Sequence, residues 1–204
     1  MKRTIAATAL VLGAVLTLAA CGGNDTTSSA GSSSSSSTAP SGSATPAAGE
    51  HNQADVMFAQ GMIPHHAQAI EMSDLLLAKD GVDPAVVKLA RDIKAAQTPE
   101  MEQMTGWLVG WDEDVPTGTM GGDMGGMDMS GMMSEEDMTA LKDASGADAS
   151  RLFLEQMIVH HRSAVMMAEA EMKAGLNGDA KALAAQIIKS QTSEITTMTE
   201  LLGS

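Results

Sequence analysis

Two pairs of adjacent histidines are the residues of this chain best suited to chemistry, and each pair ends a repeated motif. Residues 62–66 read Met-Ile-Pro-His-His, and residues 157–161 read Met-Ile-Val-His-His. Imidazole nitrogen and thioether sulfur together suit copper, whereas zinc prefers thiolate or three histidines and magnesium prefers oxygen. The repeated motif therefore predicts a site for a soft metal ion, with copper as the first candidate.

The spacing around the two motifs is helical. Side chains that match between the two segments recur at steps of four, three, four and three residues, which places them on one stripe of a helix. They are Phe58, Met62, His65, Ala69 and Met72 in the first segment, and Phe153, Met157, His160, Ala164 and Met167 in the second. Neighbouring helical residues point about 100° apart, so one pair cannot easily chelate a single ion. We expect His65 and His160 to face the core, and His66 and His161 to turn toward a neighbouring helix.

Two helical hairpins are predicted to position these histidines. The expected helices span about residues 52–79, 83–110, 149–174 and 179–202, with a short helical piece at 134–142. Asp83 is the expected N-cap of the second helix and Pro84 its first residue. The second and fourth helices match each other through Leu89, Ile93, Gln97, Glu100 and Met104 and through Leu183, Ile187, Gln191, Glu194 and Met198. The sequence therefore predicts an all-α fold, a four-helix bundle made of two repeated antiparallel hairpins.

Polar side chains of the second and fourth helices are expected at the level of the histidines. With equal rise along both helices of a hairpin, Gln97 and Glu100 lie level with the first pair, and Gln191 and Glu194 with the second. Two interpretations follow. These residues support histidines that hold a metal ion, or they bond to the histidines in a metal-free polar network while the methionines serve as packing.

Residues 112–134 form an acidic, glycine-rich connection between the hairpins. Its six methionines are Met120, Met124, Met127, Met129, Met132 and Met133. The segment has no amphipathic period with which to bury them, so core packing does not explain their number. We expect them to form a secondary site that captures soft metal ions and passes them on. The alternative is a connector whose methionine content is incidental or serves as a sink for oxidants.

The first 50 residues are expected to carry a targeting signal and a tether. Lys2 and Arg3 precede an apolar run from residue 5 to residue 20, too short for a good transmembrane helix and typical of a signal peptide at 1–20. Residues 18–21, Leu-Ala-Ala-Cys, resemble a bacterial lipobox, which implies cleavage before Cys21 and a diacylglycerol on its sulfur. The serine-rich residues 21–50 are expected to be a disordered tether, followed by the bundle domain at 51–204. These features predict a lipoprotein held at the extracytoplasmic face of the cell membrane. An ordinary secretory signal is the alternative.

Charge and motif content argue against several classes of function. The formal net charge is −14, or −16 once Lys2 and Arg3 are lost with the signal peptide, so the chain is expected to repel nucleic acid and attract cations. A di-iron oxidase built on a four-helix bundle needs Glu followed three residues later by His, whereas Glu155 here precedes His160 by five. No persuasive arrangement of nucleophiles and no phosphate-binding loop is present. Catalysis is therefore not indicated.

The two Met-Ile-x-His-His motifs resemble the signature of the family known as domain of unknown function 305, over about residues 50–204. The resemblance implies a ferritin-like four-helix bundle, usually secreted or periplasmic, with some members associated with copper binding and resistance. Carried over by position, it implicates as metal ligands Met62, His65, His66, Met72, Met157, His160, His161 and Met167. The second motif has Val159 where the first has Pro64, so the two halves are expected to differ in geometry or affinity.

Three functional hypotheses follow. The first is an extracytoplasmic lipoprotein that sequesters or relays Cu(I), and Ag(I) with it, without turnover. The second is a metal-free structural or interaction module of the cell envelope, whose His, Gln and Glu side chains form a buried network that sets helix register. The third is a copper redox enzyme, which would need oxygen-dependent turnover of Cu(I).

Overall fold

The computed structural model describes residues 49–116 and 131–203, and within them the chain is helical with no strand. The helices are α1 (Gln53–Leu77), α2 (Pro84–Gly110), α3 (Glu135–Asp143), α4 (Gly146–Ala174) and α5 (Gly178–Leu202). This confirms the all-α prediction of two long hairpins with a short helix between them. The predicted signal peptide, Cys21 and the tether up to residue 48 lie outside the described residues, as do Met120, Met124, Met127 and Met129.

Side-chain caps explain where most of the helices begin. Asn52 and Ser134 each form a capping box with the residue three positions later, at the starts of α1 and α3. Asp83 caps α2, whose first residue is Pro84, as predicted. Asn177 caps α5 by accepting hydrogen bonds from two backbone N–H groups of its first turn.

The start of α4 differs from the prediction by three residues. It begins at Gly146, not near residue 149, and Ser145 at the cap position makes no side-chain cap hydrogen bond. Gly146 has φ of +56°, a conformation that favours glycine. Ser145 and Asp148 are residue types common at a helix start, but glycine as the first helical residue has low helix propensity, which is why the sequence places the start later.

The two hairpins, α1 with α2 and α4 with α5, pack against each other mainly through α1 and α4. Helix α2 makes only minor contact with α5, and α3 lies against both α1 and α4. The residues that carry the histidine motifs are therefore on the two helices at the centre of the bundle. None of the helices in the described residues is long and apolar enough to cross a membrane.

The apolar core is divided into two clusters by a band of polar residues. The first cluster joins the second half of α1 to the first halves of α2 and α4 and to the end of α5, and it includes Met72, Leu76, Ile93, Phe153, Met157 and Met198. The second joins the first half of α1 to the later part of α2, the second half of α4 and the first half of α5, and it includes Phe58, Met62, Met104, Leu108, Ala168 and Ile187. Between them in sequence lie the residues that we call the histidine layer: His65, His66, Gln97, Glu100, His160, His161, Gln191 and Glu194.

Candidate metal centre

The rings of His65 and His160 are in contact at the interface of α1 and α4. Their ring centroids lie 3.7 Å apart, with the ring planes tilted by 39°. Both side chains are buried, and none of their four ring nitrogens has a hydrogen-bond partner within residues 49–116 and 131–203. A buried polar atom without a partner costs about 1–3 kcal/mol, so the pair is costly to maintain as it stands. The helical positions agree with the expectation that these two histidines face the core.

His66 and His161 turn outward to the second helix of their own hairpins. The Nε2 atom of His66 lies 2.7 Å from Oε2 of Glu100, and Nε2 of His161 lies 2.7 Å from Oε2 of Glu194. An ionised carboxylate only accepts hydrogen bonds, so with ionised glutamates Nε2 of each ring donates the proton. The other nitrogen, Nδ1, then carries the free lone pair, and in both rings it is buried with no partner among residues 49–116 and 131–203. Each glutamate thus selects the tautomer that leaves Nδ1 able to bind a metal ion.

Burial favours the neutral form of three histidines of this layer, His65, His66 and His160. It lowers the pKa of His65 to about 3, and the neighbouring His66 and His161 add to the effect. Burial also lowers the pKa of His160 well below its usual value, again with a contribution from His65. The pKa of His66 is lowered by burial as well, although the hydrogen bond and charge of Glu100 oppose the change. Neutral imidazole is the form that ligates metal ions.

The two glutamines of the layer are buried with unpartnered amide atoms. Both side-chain amide atoms of Gln97 and the Oε1 atom of Gln191 lack a hydrogen-bond partner in the part of the chain that the structure describes. The sequence predicts them as partners of the histidines, but no hydrogen bond joins a glutamine to a histidine of the layer among the described residues. The glutamates make the hydrogen bonds to these histidines. A residue that the sequence did not single out, Gln186, donates from Nε2 to Oε1 of Glu100 at 3.4 Å.

The helical methionines of the motifs lie on both sides of the layer. Met62, Met72 and Met157 are fully buried, with Met62 in the second cluster and the other two in the first. Met167 is half-buried and packs against the second cluster. The Cε atom of Met167 lies close to α1, because a Cβ atom added at Gly61 would be 3.3 Å from it.

The histidine layer brings its ligand candidates together in pairs. Among residues 49–116 and 131–203, no three His, Cys, Asp or Glu side chains are grouped so that they could hold a metal ion. Imidazole nitrogen and thioether sulfur are both present near the layer, and this combination of donors suits soft ions such as Cu(I).

The fifth histidine of the chain is not part of the layer. His51 stacks on Trp111, with ring centroids 4.6 Å apart and planes 12° from parallel, and Trp111 stacks in turn near Trp107. In the connection between the hairpins, Met132 and Met133 are partly buried, and Met133 packs against the first cluster. They are the two of the six connection methionines that the structure describes.

Comparison with known proteins identifies the family. The model of the family described as Domain of unknown function (DUF305) matches residues 55–202 of the chain. The chain belongs to this family. The resemblance drawn from the two His-His motifs is thereby confirmed, and no curated protein matches the chain.

Solved structures of DUF305 proteins share the bundle. A putative secreted DUF305 protein from Streptomyces coelicolor is 36% identical, covers 74% of this chain and 91% of its own, and superposes with a TM-score of 0.66. A DUF305 fragment from Deinococcus radiodurans is 33% identical, with coverage of 76% and 99% and a TM-score of 0.66. CopM in its Cu(II)-bound form is 34% identical, with coverage of 73% and 95% and a TM-score of 0.62. CopM has also been solved in Cu(I)-bound and silver-bound forms.

Proposed function

We propose that this DUF305 protein binds Cu(I), and Ag(I) with it, in the histidine layer and sequesters or relays the ion without chemical turnover. The observation that carries the proposal is the pair His65 and His160, two neutral rings in contact with four unpartnered nitrogens. A bound soft ion would give these nitrogens a partner, and the buried Met62, Met72 and Met157 offer sulfur nearby. The half-buried Met167 is the remaining helical candidate. The copper-bound and silver-bound structures of CopM support the choice of metal, because CopM has the same fold.

His66 and His161 are the second pair of ligands in this proposal. Their hydrogen bonds to Glu100 and Glu194 leave Nδ1 available, and such outer partners orient metal-binding histidines in many proteins. Gln97 and Gln191 are buried at the same level, where their unpartnered amides can complete the hydrogen bonds of the occupied site.

The rival proposal is the metal-free polar network, and one observation favours it. The two His–Glu hydrogen bonds are short, and each gives the Nε2 atom of its histidine a partner without a metal ion. The network does not account for His65 and His160, however, because a structural network is stable only when its members are hydrogen-bonded. Catalytic turnover is not part of the proposal.

We further propose that the protein works outside the cytoplasm, as a lipoprotein anchored through diacylglycerol on Cys21. The methionines of residues 112–134 would then recruit soft ions for the bundle, and the acidic surface would raise the local cation concentration. Mass spectrometry of the mature N-terminus tests the anchor, since a Cys21→Ala variant should lose the lipid mass and the membrane association. Recovery of wild-type protein without lipid, with cleavage elsewhere, would exclude it.

The decisive experiment is an anaerobic titration of the full chain with Cu(I) against a competing chromophoric chelator. The wild-type protein should withdraw Cu(I), and a variant with His65→Leu and His160→Leu should lose most of that capacity. Val159→Leu on the exposed face of α4 is a matched control, because it changes an apolar residue beside His160 without touching the core. Equal competition by wild type and the double variant would refute the histidine site.

A further inference from the structure

The last residues of the methionine-rich connection contact both α1 and α4, the two helices that carry the histidine motifs. Gln68 on α1 donates from Nε2 to the carbonyl oxygen of Met133 at 2.8 Å, and the Met133 N–H donates to Gln68 Oε1 at 2.7 Å. One buried amide thus satisfies both backbone polar groups of a single connection residue. Such a reciprocal pair fixes the position of Met133 more tightly than a single hydrogen bond would.

The same segment packs closely against α4 at Ser163. Gly131 has φ of +92°, and a Cβ atom added there would lie 2.3 Å from Cβ of Ser163. Both the backbone conformation and the close approach therefore require glycine at this position. Gln68 and Ser163 occupy equivalent places in the two hairpins, three residues after His65 and His160 respectively. Residues 131–133 consequently bridge α1 and α4 one helical turn from the histidine pair.

The side chain of Met133 connects this segment to the apolar core. It is partly buried and packs against the first cluster, which also contains Met72 and Met157. Met133 therefore belongs both to the connection and to the apolar cluster that holds two of the candidate thioether ligands. A flexible thioether at such a junction suits a ligand that holds a soft ion briefly.

We propose that Met133 is a transfer ligand for Cu(I) uptake and that Gln68 is the residue that positions it. The inference rests on the proposed copper function. In the transfer, the bond from Cu(I) to the Met133 sulfur breaks as a bond to an imidazole nitrogen of the layer forms. The copper remains Cu(I) throughout, so no electron donor or acceptor is needed. Met133 belongs to the path and not to the final site.

The test separates the rate of uptake from the affinity. Full-length protein is mixed anaerobically with a bicinchoninate complex of Cu(I), and the second-order rate constant of copper transfer is followed by loss of the chelator absorbance. A ligand on the path lowers the barrier for gain and loss of copper equally, so Met133→Leu should slow both by about tenfold and leave Kd within about threefold. Leu preserves the apolar volume, and the fold is checked by circular dichroism.

Two matched variants keep the comparison specific. Met138 packs against the same cluster from α3, so Met138→Leu should leave the rates unchanged. Gln156 on α4 donates to the Asp137 carbonyl oxygen, and Gln156→Leu removes a comparable hydrogen bond away from Met133. Gln68→Leu should slow transfer as Met133→Leu does, whereas Gln156→Leu should not.

The outcomes distinguish this inference from the proposed function. Unchanged rates in the Met133 variant, or equal slowing by the Met138 variant, would overturn the transfer role. A loss of affinity in proportion to the rate would also overturn it, because Met133 would then be a ligand of the final site. Failure of the histidine variants to lower affinity would instead refute the copper site itself.

Discussion

The ring centroids of His65 and His160 lie 3.7 Å apart across the interface of α1 and α4, in equivalent positions of two repeated hairpins. The bundle therefore brings two identical side chains together inside the core, and their ring nitrogens have no hydrogen-bond partner among the described residues. Burial of unpartnered imidazole lowers stability, and this cost is the physical reason to regard the pair as a functional feature of the fold.

Replacing both histidines of this pair with leucine should stabilise the metal-free protein. The variant with His65→Leu and His160→Leu removes four unpartnered nitrogens and adds apolar contact, so the free energy of unfolding should rise by about 1–3 kcal/mol. Urea unfolding in the presence of a copper chelator measures the change. A loss of stability of similar size would favour the metal-free network, since the rings would then be making stabilising interactions.

The two His–Glu hydrogen bonds should differ in their contribution to stability. Glu100→Ala leaves Nε2 of the buried His66 without a partner and should lower the free energy of unfolding by about 1–3 kcal/mol. Glu194 is more exposed, with 20% of its side chain accessible against 7% for Glu100, so water can replace it beside His161. Glu194→Ala should therefore cost less. Parallel urea titrations compare the variants, and a larger loss from Glu194→Ala would contradict the difference in burial.

The turn between α4 and α5 should tolerate alanine at one glycine and not at the other. A Cβ atom added at Gly175 would lie 2.0 Å from Oε1 of Glu171 and 2.8 Å from its carbonyl oxygen, so Gly175→Ala should destabilise by about 1–3 kcal/mol. Nothing lies within 4 Å of a Cβ atom added at Gly178, the first residue of α5. Gly178→Ala is therefore the control and should be neutral or slightly stabilising. Thermal unfolding of both variants tests the prediction, which equal melting temperatures would contradict.

A buried carboxyl pair ties the start of α1 to the same turn. Asp55 accepts hydrogen bonds from the backbone N–H groups of Asn52, Leu176 and Asn177. Burial alone would raise the pKa of Asp55, but these N–H groups and the nearby Glu171 together lower it. Burial and the neighbouring Asp55 carboxyl together raise the pKa of Glu171 to about 8, against the opposing charge of Lys181.

This pair makes stability depend on pH with a defined sign. Glu171 binds its proton more tightly in the folded chain than in the unfolded chain, where the ordinary pKa is 4.5. Its contribution is therefore fully present below about pH 4.5 and is lost as the pH rises toward about 8. Glu171→Gln, which mimics the protonated side chain, should flatten that decline and leave stability at low pH unchanged. Urea unfolding from pH 4.5 to 8.5 measures it.

The exposed neighbour Glu169 provides the control for the pH prediction. Glu169→Gln removes a carboxylate from the same helix without affecting the buried pair, so it should retain the wild-type slope. If Glu171→Gln also kept that slope, ionisation of Glu171 would not be the cause of the pH dependence.

The helices and the faces of the histidines could be predicted from the sequence, because both depend on local periodicity. Steps of three and four residues place His65 and His160 on the apolar stripes, and Asp83 with Pro84 marks the start of α2. The internal repeat also made the two hairpins evident. The start of α4 at Gly146 escaped prediction because glycine as the first helical residue has low helix propensity.

Only the tertiary structure decided which of these faces meet. Periodicity states that a residue faces inward but not which helix covers it, so the contact of His65 with His160 follows from the packing of α1 on α4. The choice of Glu100 over Gln97 as the partner of His66 depends on the register of α2 against α1, to within one turn. The hydrogen bonds between Gln68 and Met133 join residues 65 positions apart, and the proximity of Asp55 to Glu171 joins the first turn of α1 to the end of α4. Contacts between distant segments depend on how whole helices pack, and a single sequence specifies that packing only through the sum of all its side-chain interactions.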